Sequence, residues 1–122
     1  MFHTRRMFGG NLAVGWPAAL VARHYMDGYL DRLTAAVRVS EDVIAGLARH
    51  SRLGIARVQN GTNLTRWTLH GVDPGTVARR LATDGIRFPG PAADGVVTIA
   101  VNETWTRQTA ADLVRAFERA LA

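Results

Sequence analysis

The first residues that could do chemistry lie in residues 5–20, RRMFGGNLAVGWPAAL. Two glycines and an asparagine at 9–11 precede a predicted helix, and the free N–H groups and dipole at a helix start favour an anion. Arg5 and Arg6 would add charge-assisted hydrogen bonds to a phosphate or carboxylate. The spacing is neither that of a P-loop nor that of a dinucleotide motif. On spacing alone, a flexible entry loop fits this segment better than an anion site.

The absence of lysine restricts the chemistry more firmly. All 15 residues counted as lysine or arginine are arginine, and the chain has no cysteine. A Schiff base with an aldehyde cofactor needs a side-chain amine, which only lysine offers. The chain therefore cannot hold such a cofactor covalently through its own side chains. We also find no Ser/His/Asp arrangement and no residue that we would assign as a catalytic base or nucleophile.

One histidine and one aspartate have a spacing that is compatible with metal binding. His24 and Asp27 stand three residues apart on a predicted helix and could share a metal ion. His3, His50 and His70 have no partner at a spacing that completes a site. We therefore expect no metal site, and we expect His24 to lie on a helix surface or at an interface.

Composition limits the class of protein. A chain of 122 residues is one domain or a piece of a larger one. The net charge of +5 could serve nucleic acid, but the arginines are scattered and often adjoin acids, as in Asp31-Arg32. No apolar run approaches the ~18 residues of a membrane span, and residues 9–20 are too interrupted for a secretory signal. We expect a cytoplasmic protein without a membrane partner. Nucleic-acid binding is a third alternative, which would require strongly salt-dependent affinity for DNA or RNA.

Periodicity predicts the elements that would position these residues. Two helices come first: one after the glycine pair with Pro17 in its first turn, and one beginning at Tyr29, apolar at steps of three and four and ended by Gly54. Asn60-Gly61 predicts a turn, and Asp73 and Thr109 are predicted helix caps. The three tryptophans are expected to be packing residues. The other predicted elements are strands at 55–59, 63–70, 86–88 and 96–101, and helices after Asp73 and Thr109.

This order predicts an α/β chain of the two-layer α+β type: a small, mostly antiparallel sheet with helices packed on one face, preceded by a linking helix. Gly28 marks the predicted boundary. Residues 1–28 would form a lead-in loop and linking helix at an interface, and residues 29–122 a small domain.

In addition, RRMFGGNLAVGWPAAL resembles the segment that follows the cofactor lysine in the threonine aldolase and aromatic amino acid β-eliminating lyase family. These are pyridoxal-phosphate enzymes of fold type I. Residues 29–49 are similar to the long helix of the family's small C-terminal domain, and 62–64, Thr-Asn-Leu, to the start of a family strand. Residues 96–101 and 109–121 resemble its closing strand and helix. The resemblance rests on the order and spacing of these segments and extends over residues 5–122.

The resemblance implies the C-terminal portion of a pyridoxal-phosphate-dependent lyase of amino acid metabolism, cleaving or eliminating at the α or β carbon of an amino acid substrate. It implies a partner, either a large cofactor-binding domain absent from this sequence or a neighbour in a homo-oligomer. Asn63 would line the substrate cleft. The residues that it places near the cofactor phosphate or a carboxylate are Arg6, Gly9, Gly10 and Asn11.

The chain also departs from the family pattern. Arg6 stands where better-known aldolases have an active-site lysine, Ala13 where they have an arginine, and Val97 near their substrate-carboxylate arginine. We expect the chain to be inactive without a partner that supplies the lysine. The alternative is a stand-alone module without catalysis, which uses its sheet face to bind a small ligand or an acidic protein.

Overall fold

The computed structural model describes residues 15–60, 63–91 and 95–122. It confirms the predicted α+β class, with helices and an antiparallel three-stranded sheet. In chain order the elements are α1 (Trp16–Met26), α2 (Tyr29–Leu47), β1 (Leu53–Arg57), β2 (Leu64–Leu69), α3 (Pro74–Thr83), β3 (Val96–Ala100), a 3-10 helix (Glu103–Arg107) and α4 (Ala110–Leu121).

The chain divides into two compact units, the first ending at Arg32 and the second running Leu33–Ala122, so that the division falls inside α2. In the first unit, Gly28 separates α1 from α2 with a φ of +65°, a value that favours glycine. The Arg32 guanidinium donates to the carbonyl oxygens of Asp27 and Tyr25, both at 2.6 Å. These bonds satisfy carbonyl groups at the end of α1 that have no partner within the helix.

The sheet of the second unit has the strand order β1-β2-β3, with both pairs antiparallel. Ile55, Trp67 and Val97 lie opposite one another across the three strands. Side chains alternate between the two faces. Trp67 and Val97 are fully buried, whereas Arg66 and Thr98, their neighbours on the other face, are exposed. One face of the sheet therefore carries the core, as predicted.

Helices α2, α3 and α4 supply the other side of this core. Each presents buried apolar residues at helical spacing, and these form one cluster with the strands. The helix residues in the cluster are Val43, Leu47, Val77, Leu81, Leu113, Ala116, Phe117, Ala120 and Leu121.

Trp67 lies at the centre of an aromatic group. Its ring is 5.1 Å from that of Phe117 and 6.5 Å from that of Phe88, and the two phenylalanine rings are 5.8 Å apart. The Trp67 indole N–H donates to the Thr65 hydroxyl at 2.9 Å. The buried polar atom is thereby satisfied, and the ring brings a large apolar area into the core.

Several local signals are confirmed. Asp73 caps α3 by accepting from the Thr76 N–H at 2.7 Å. Gly85 follows the helix end with a φ of +72°. Thr109 caps α4 by accepting from the Asp112 N–H at 3.2 Å. Among the described residues, no helix combines the length and apolar character needed to cross a membrane.

Three predicted boundaries are wrong. Helix α2 ends at Leu47 rather than at Gly54, because the chain turns twice before entering β1, where Gly54 lies. β1 accordingly covers Leu53–Arg57 instead of residues 55–59. Residues 86–88 form no strand: the Ile86 N–H bonds back to the Leu81 carbonyl at 3.0 Å, and Phe88 is buried in the core.

Two aspartates at helix N-termini, the cap Asp73 of α3 and Asp112 in the first turn of α4, predict a loss of stability at acid pH. A hydrogen bond from the Thr76 side chain lowers the pKa of Asp73, and one from the Thr109 side chain lowers the pKa of Asp112. Because the folded pKa is below the unfolded value of about 3.9, each carboxylate stabilises the fold above that value, and this contribution is lost as the pH falls through the folded pKa. The urea midpoint should therefore fall between pH 7 and pH 3. In the double variant Asp73→Asn/Asp112→Asn, the urea midpoint should fall less over the same pH range. An equal fall would contradict the assignment of this pH dependence to the two aspartates.

Candidate functional site

The residues predicted to contact a cofactor, Arg6, Gly9, Gly10 and Asn11, lie outside the described part of the chain. Asn63 is described and precedes β2. Its side-chain amide donates to the Val101 carbonyl at 3.0 Å, and the Val101 N–H donates to the Asn63 carbonyl at 2.8 Å. Asn63 thus extends the pairing of β2 with β3. Its role in lining a substrate cleft stays a prediction.

A cleft of about 510 Å³ opens in the second unit, and core residues reach its lining. It lies beside the segment after α3, the 3-10 helix and α4. Residues of the hydrophobic core form the floor of the cleft. They are Trp67, Ile86, Phe88, Ile99, Trp105, Leu113 and Phe117. Asn63 is not among its lining residues.

Hydrogen bonds fix the walls of this cleft. The Asn102 side-chain oxygen accepts from the Thr104 N–H at 2.9 Å and caps the 3-10 helix. The Trp105 indole N–H donates to the Ala100 carbonyl at 3.3 Å and holds that helix against β3. At its other end, the Gln108 amide donates to the Asp84 carbonyl at 3.0 Å. The 3-10 helix is therefore tied to both β3 and the end of α3.

Two exposed arginines, Arg87 and Arg107, line the cleft. Neither forms a hydrogen bond or an ion pair with any described residue, and no acidic residue is among the lining residues. By contrast, Arg57, Arg115 and Arg119 of the second unit pair with acids, as Arg119 does with Asp84 at 2.9 Å. Among the described residues, the cleft thus carries two arginine charges without an acidic partner above an apolar floor.

An ion pair on α2 and β1 illustrates the contrast. Glu41 receives two hydrogen bonds from the guanidinium of Arg57. These bonds lower the pKa of Glu41 and raise that of Arg57. The guanidinium of Arg57 is therefore paired with a neighbouring carboxylate. The guanidinium groups of the two cleft arginines have no such partner among the described residues and could bind a ligand.

The first unit carries a second, shallower depression lined by Leu20, Arg23, His24 and Asp27. His24 is exposed on α1, with its ring 5.3 Å from that of Tyr25. Within the ranges that the structure describes, no three histidine, aspartate or glutamate side chains are grouped as metal ligands would be. This depression therefore gives no support to a metal site.

Helix α1 has an exposed apolar surface. None of its residues is buried, and Trp16, Tyr25 and Met26 are 66%, 66% and 73% exposed. Leu20 and Val21 are also exposed. We call these five residues the α1 apolar surface. Trp16 corrects the expectation that all three tryptophans pack: Trp67 is buried and Trp105 packs on the core, but Trp16 does not.

The two cleft arginines were not predicted from the sequence. Arg87 lies in the segment predicted to be a strand, and Arg107 ends the 3-10 helix, which was not predicted. No spacing rule links them, because the fold brings distant segments together. The only local signal was Pro89-Gly90-Pro91, which excludes regular structure beside Arg87.

No protein-family model matches the chain, and no curated protein matches it significantly.

Proposed function

We propose that this chain is the C-terminal, small-domain portion of a pyridoxal-phosphate-dependent lyase of the threonine aldolase or β-eliminating type. It would act on an amino acid together with a partner that carries the cofactor lysine. The resemblance of residues 5–122 to that family, in order and spacing, motivates the proposal. The antiparallel sheet, whose strands follow α2 and precede α4 in the chain, is compatible with this proposal.

The observation that carries the proposal is the α1 apolar surface. Large apolar side chains exposed around a helix without a single buried residue are typical of a segment that a partner covers, because a helix that is apolar on several sides is ordinarily buried. A large cofactor domain, or a neighbouring subunit, would cover this helix. The resemblance places the same helix at the junction between the large and small domains.

The cofactor itself does not fit this chain as a covalent ligand. The chain has no lysine, so it offers no side-chain amine for the cofactor aldehyde. Pyridoxal phosphate supplies an electron sink for bond cleavage when it is bound, and the partner must supply the amine. As the resemblance implies, Arg6, Gly9, Gly10 and Asn11 would contribute contacts to a phosphate or carboxylate.

The purified chain should therefore be inactive alone. Incubated with pyridoxal phosphate and either threonine or an aromatic amino acid, it should produce no product by chromatography and no active-site shift of the cofactor absorbance. A matched sample of a complete lyase serves as the positive control. Turnover by the isolated chain would contradict the proposal.

A second function, a stand-alone module that binds a small ligand, is favoured by the cleft. Every residue that lines it belongs to the second unit, so the site needs no residue from a partner chain. This alternative predicts a chain that remains monomeric in solution and binds a ligand without a partner. Analytical ultracentrifugation at increasing concentration would distinguish it from a chain that associates through the α1 apolar surface.

A cytoplasmic location is part of the lyase proposal. The absence of cysteine fits a reducing compartment, and amino acid metabolism would place the substrate there.

A further inference from the structure

We propose that the cleft in the second unit binds a small organic anion, consisting of a carboxylate attached to an apolar, preferably aromatic, body. This inference does not rest on the lyase proposal, because every lining residue lies within Leu33–Ala122.

The size of the cleft suits a small molecule. Its volume of about 510 Å³ lies within the roughly 300–1,000 Å³ of typical ligand sites. Such sites combine mostly apolar walls with a few polar groups that orient the ligand. Here the apolar floor includes the partly exposed Trp105 and the margins of Phe88 and Phe117, which are 7% and 6% exposed, and an aromatic ring is complementary to these rings.

The charge of the cleft favours an anion. Arg87 and Arg107 line it without any acidic neighbour among the lining residues, and neither has a partner among the described residues. A guanidinium group presents a planar fork of N–H donors that matches a carboxylate. Because this fork is permanently charged, it would hold its ligand over a wide pH range.

A third donor is available at the same site. The side-chain oxygen of Asn102 is used by Thr104, but its amide nitrogen forms no hydrogen bond with any described residue. Asn102 also lines the cleft. A carboxylate can accept several hydrogen bonds from its two oxygens, so one such group could engage donors from both walls.

The first test is calorimetry on the full chain with three probes: 3-phenylpropionate, the neutral 3-phenylpropionamide and inorganic phosphate. We expect 3-phenylpropionate to bind at least about tenfold more tightly than the amide, as expected for loss of one charge-assisted hydrogen bond. It should also bind at least about tenfold more tightly than phosphate, because phosphate has no apolar body to cover the floor. Equal binding of the amide would overturn the role of charge. Equal binding of phosphate would overturn the role of the apolar floor, and failure of every probe to bind would overturn the site.

The second test uses variants of exposed residues. Arg87→Gln and Arg107→Gln should each weaken binding of 3-phenylpropionate by about tenfold. Arg38→Gln, which removes an exposed arginine of α2 that does not line the cleft, should leave it unchanged. Circular dichroism checks that each variant folds. Undiminished binding in Arg87→Gln/Arg107→Gln would contradict the proposal. Because no cofactor or partner is added, this result is independent of lyase activity.

Discussion

Trp67→Ala is expected to destabilise the fold by about 3–5 kcal/mol, the usual loss when a large aromatic residue is removed from a core. Trp67 is fully buried, pairs with Phe117 and Phe88, and lies on the central strand opposite Ile55 and Val97. Alanine would leave a cavity bordered by both sheet and helices. The loss is comparable to the whole stability of a small domain. Urea unfolding followed by circular dichroism measures it.

Two matched variants define the cause. Trp67→Phe keeps an aromatic ring but removes the N–H that the Thr65 hydroxyl accepts, so it should be less destabilising than alanine. Trp105→Ala removes a tryptophan that is only partly buried, and it should also cost less. A loss in Trp105→Ala equal to that in Trp67→Ala would show that the core is not centred on Trp67.

The second large effect concerns association. Leu20→Glu/Tyr25→Glu places two carboxylates on the α1 apolar surface. It should reduce capture of the proposed cofactor-bearing partner by a tagged chain at least about tenfold, because charges desolvated at an interface are costly. The free energy of unfolding of the isolated chain should hardly change, since neither side chain is buried.

The control for this experiment is Leu64→Glu, which charges an exposed leucine of β2 in the second unit. Leu64 is 40% exposed and lies outside the α1 apolar surface. Capture that is lost with Leu64→Glu but kept with Leu20→Glu/Tyr25→Glu would show that the sheet, rather than α1, contacts the partner.

Local chemistry made much of the second unit predictable. Asp73 and Thr109 each stand before a helix and cap it as expected, because an oxygen on a short side chain reaches the free N–H groups of the first turn. The alternation of Thr65, Trp67 and Leu69 with polar neighbours gave β2. These signals depend only on residues that are close in sequence.

The errors arose where distant residues decide the outcome. Residues 86–88 are predicted as a brief strand, but a short apolar segment can equally fill a core without pairing. Phe88 does so against Trp67 and Phe117. A glycine such as Gly54 is compatible with either a helix end or a strand. Here it lies within β1.

The candidate site was the least predictable feature. Arg87 and Arg107 come from segments that only the tertiary fold brings to one cleft, and their lack of acidic partners is visible only in three dimensions. Exposure of the α1 apolar surface likewise could not be inferred from periodicity. An apolar pattern on a helix predicts that the helix is buried, but it does not show which part of the protein, or which partner, covers it.

The most direct test of the central claim is to purify the tagged full chain from its native cells, reduce the preparation with borohydride and locate pyridoxyl groups by mass spectrometry. We predict a pyridoxyl-lysine on a different polypeptide that is purified together with the chain. Recovery of the chain without any such polypeptide, from cells in which it is expressed and folded, would contradict the account.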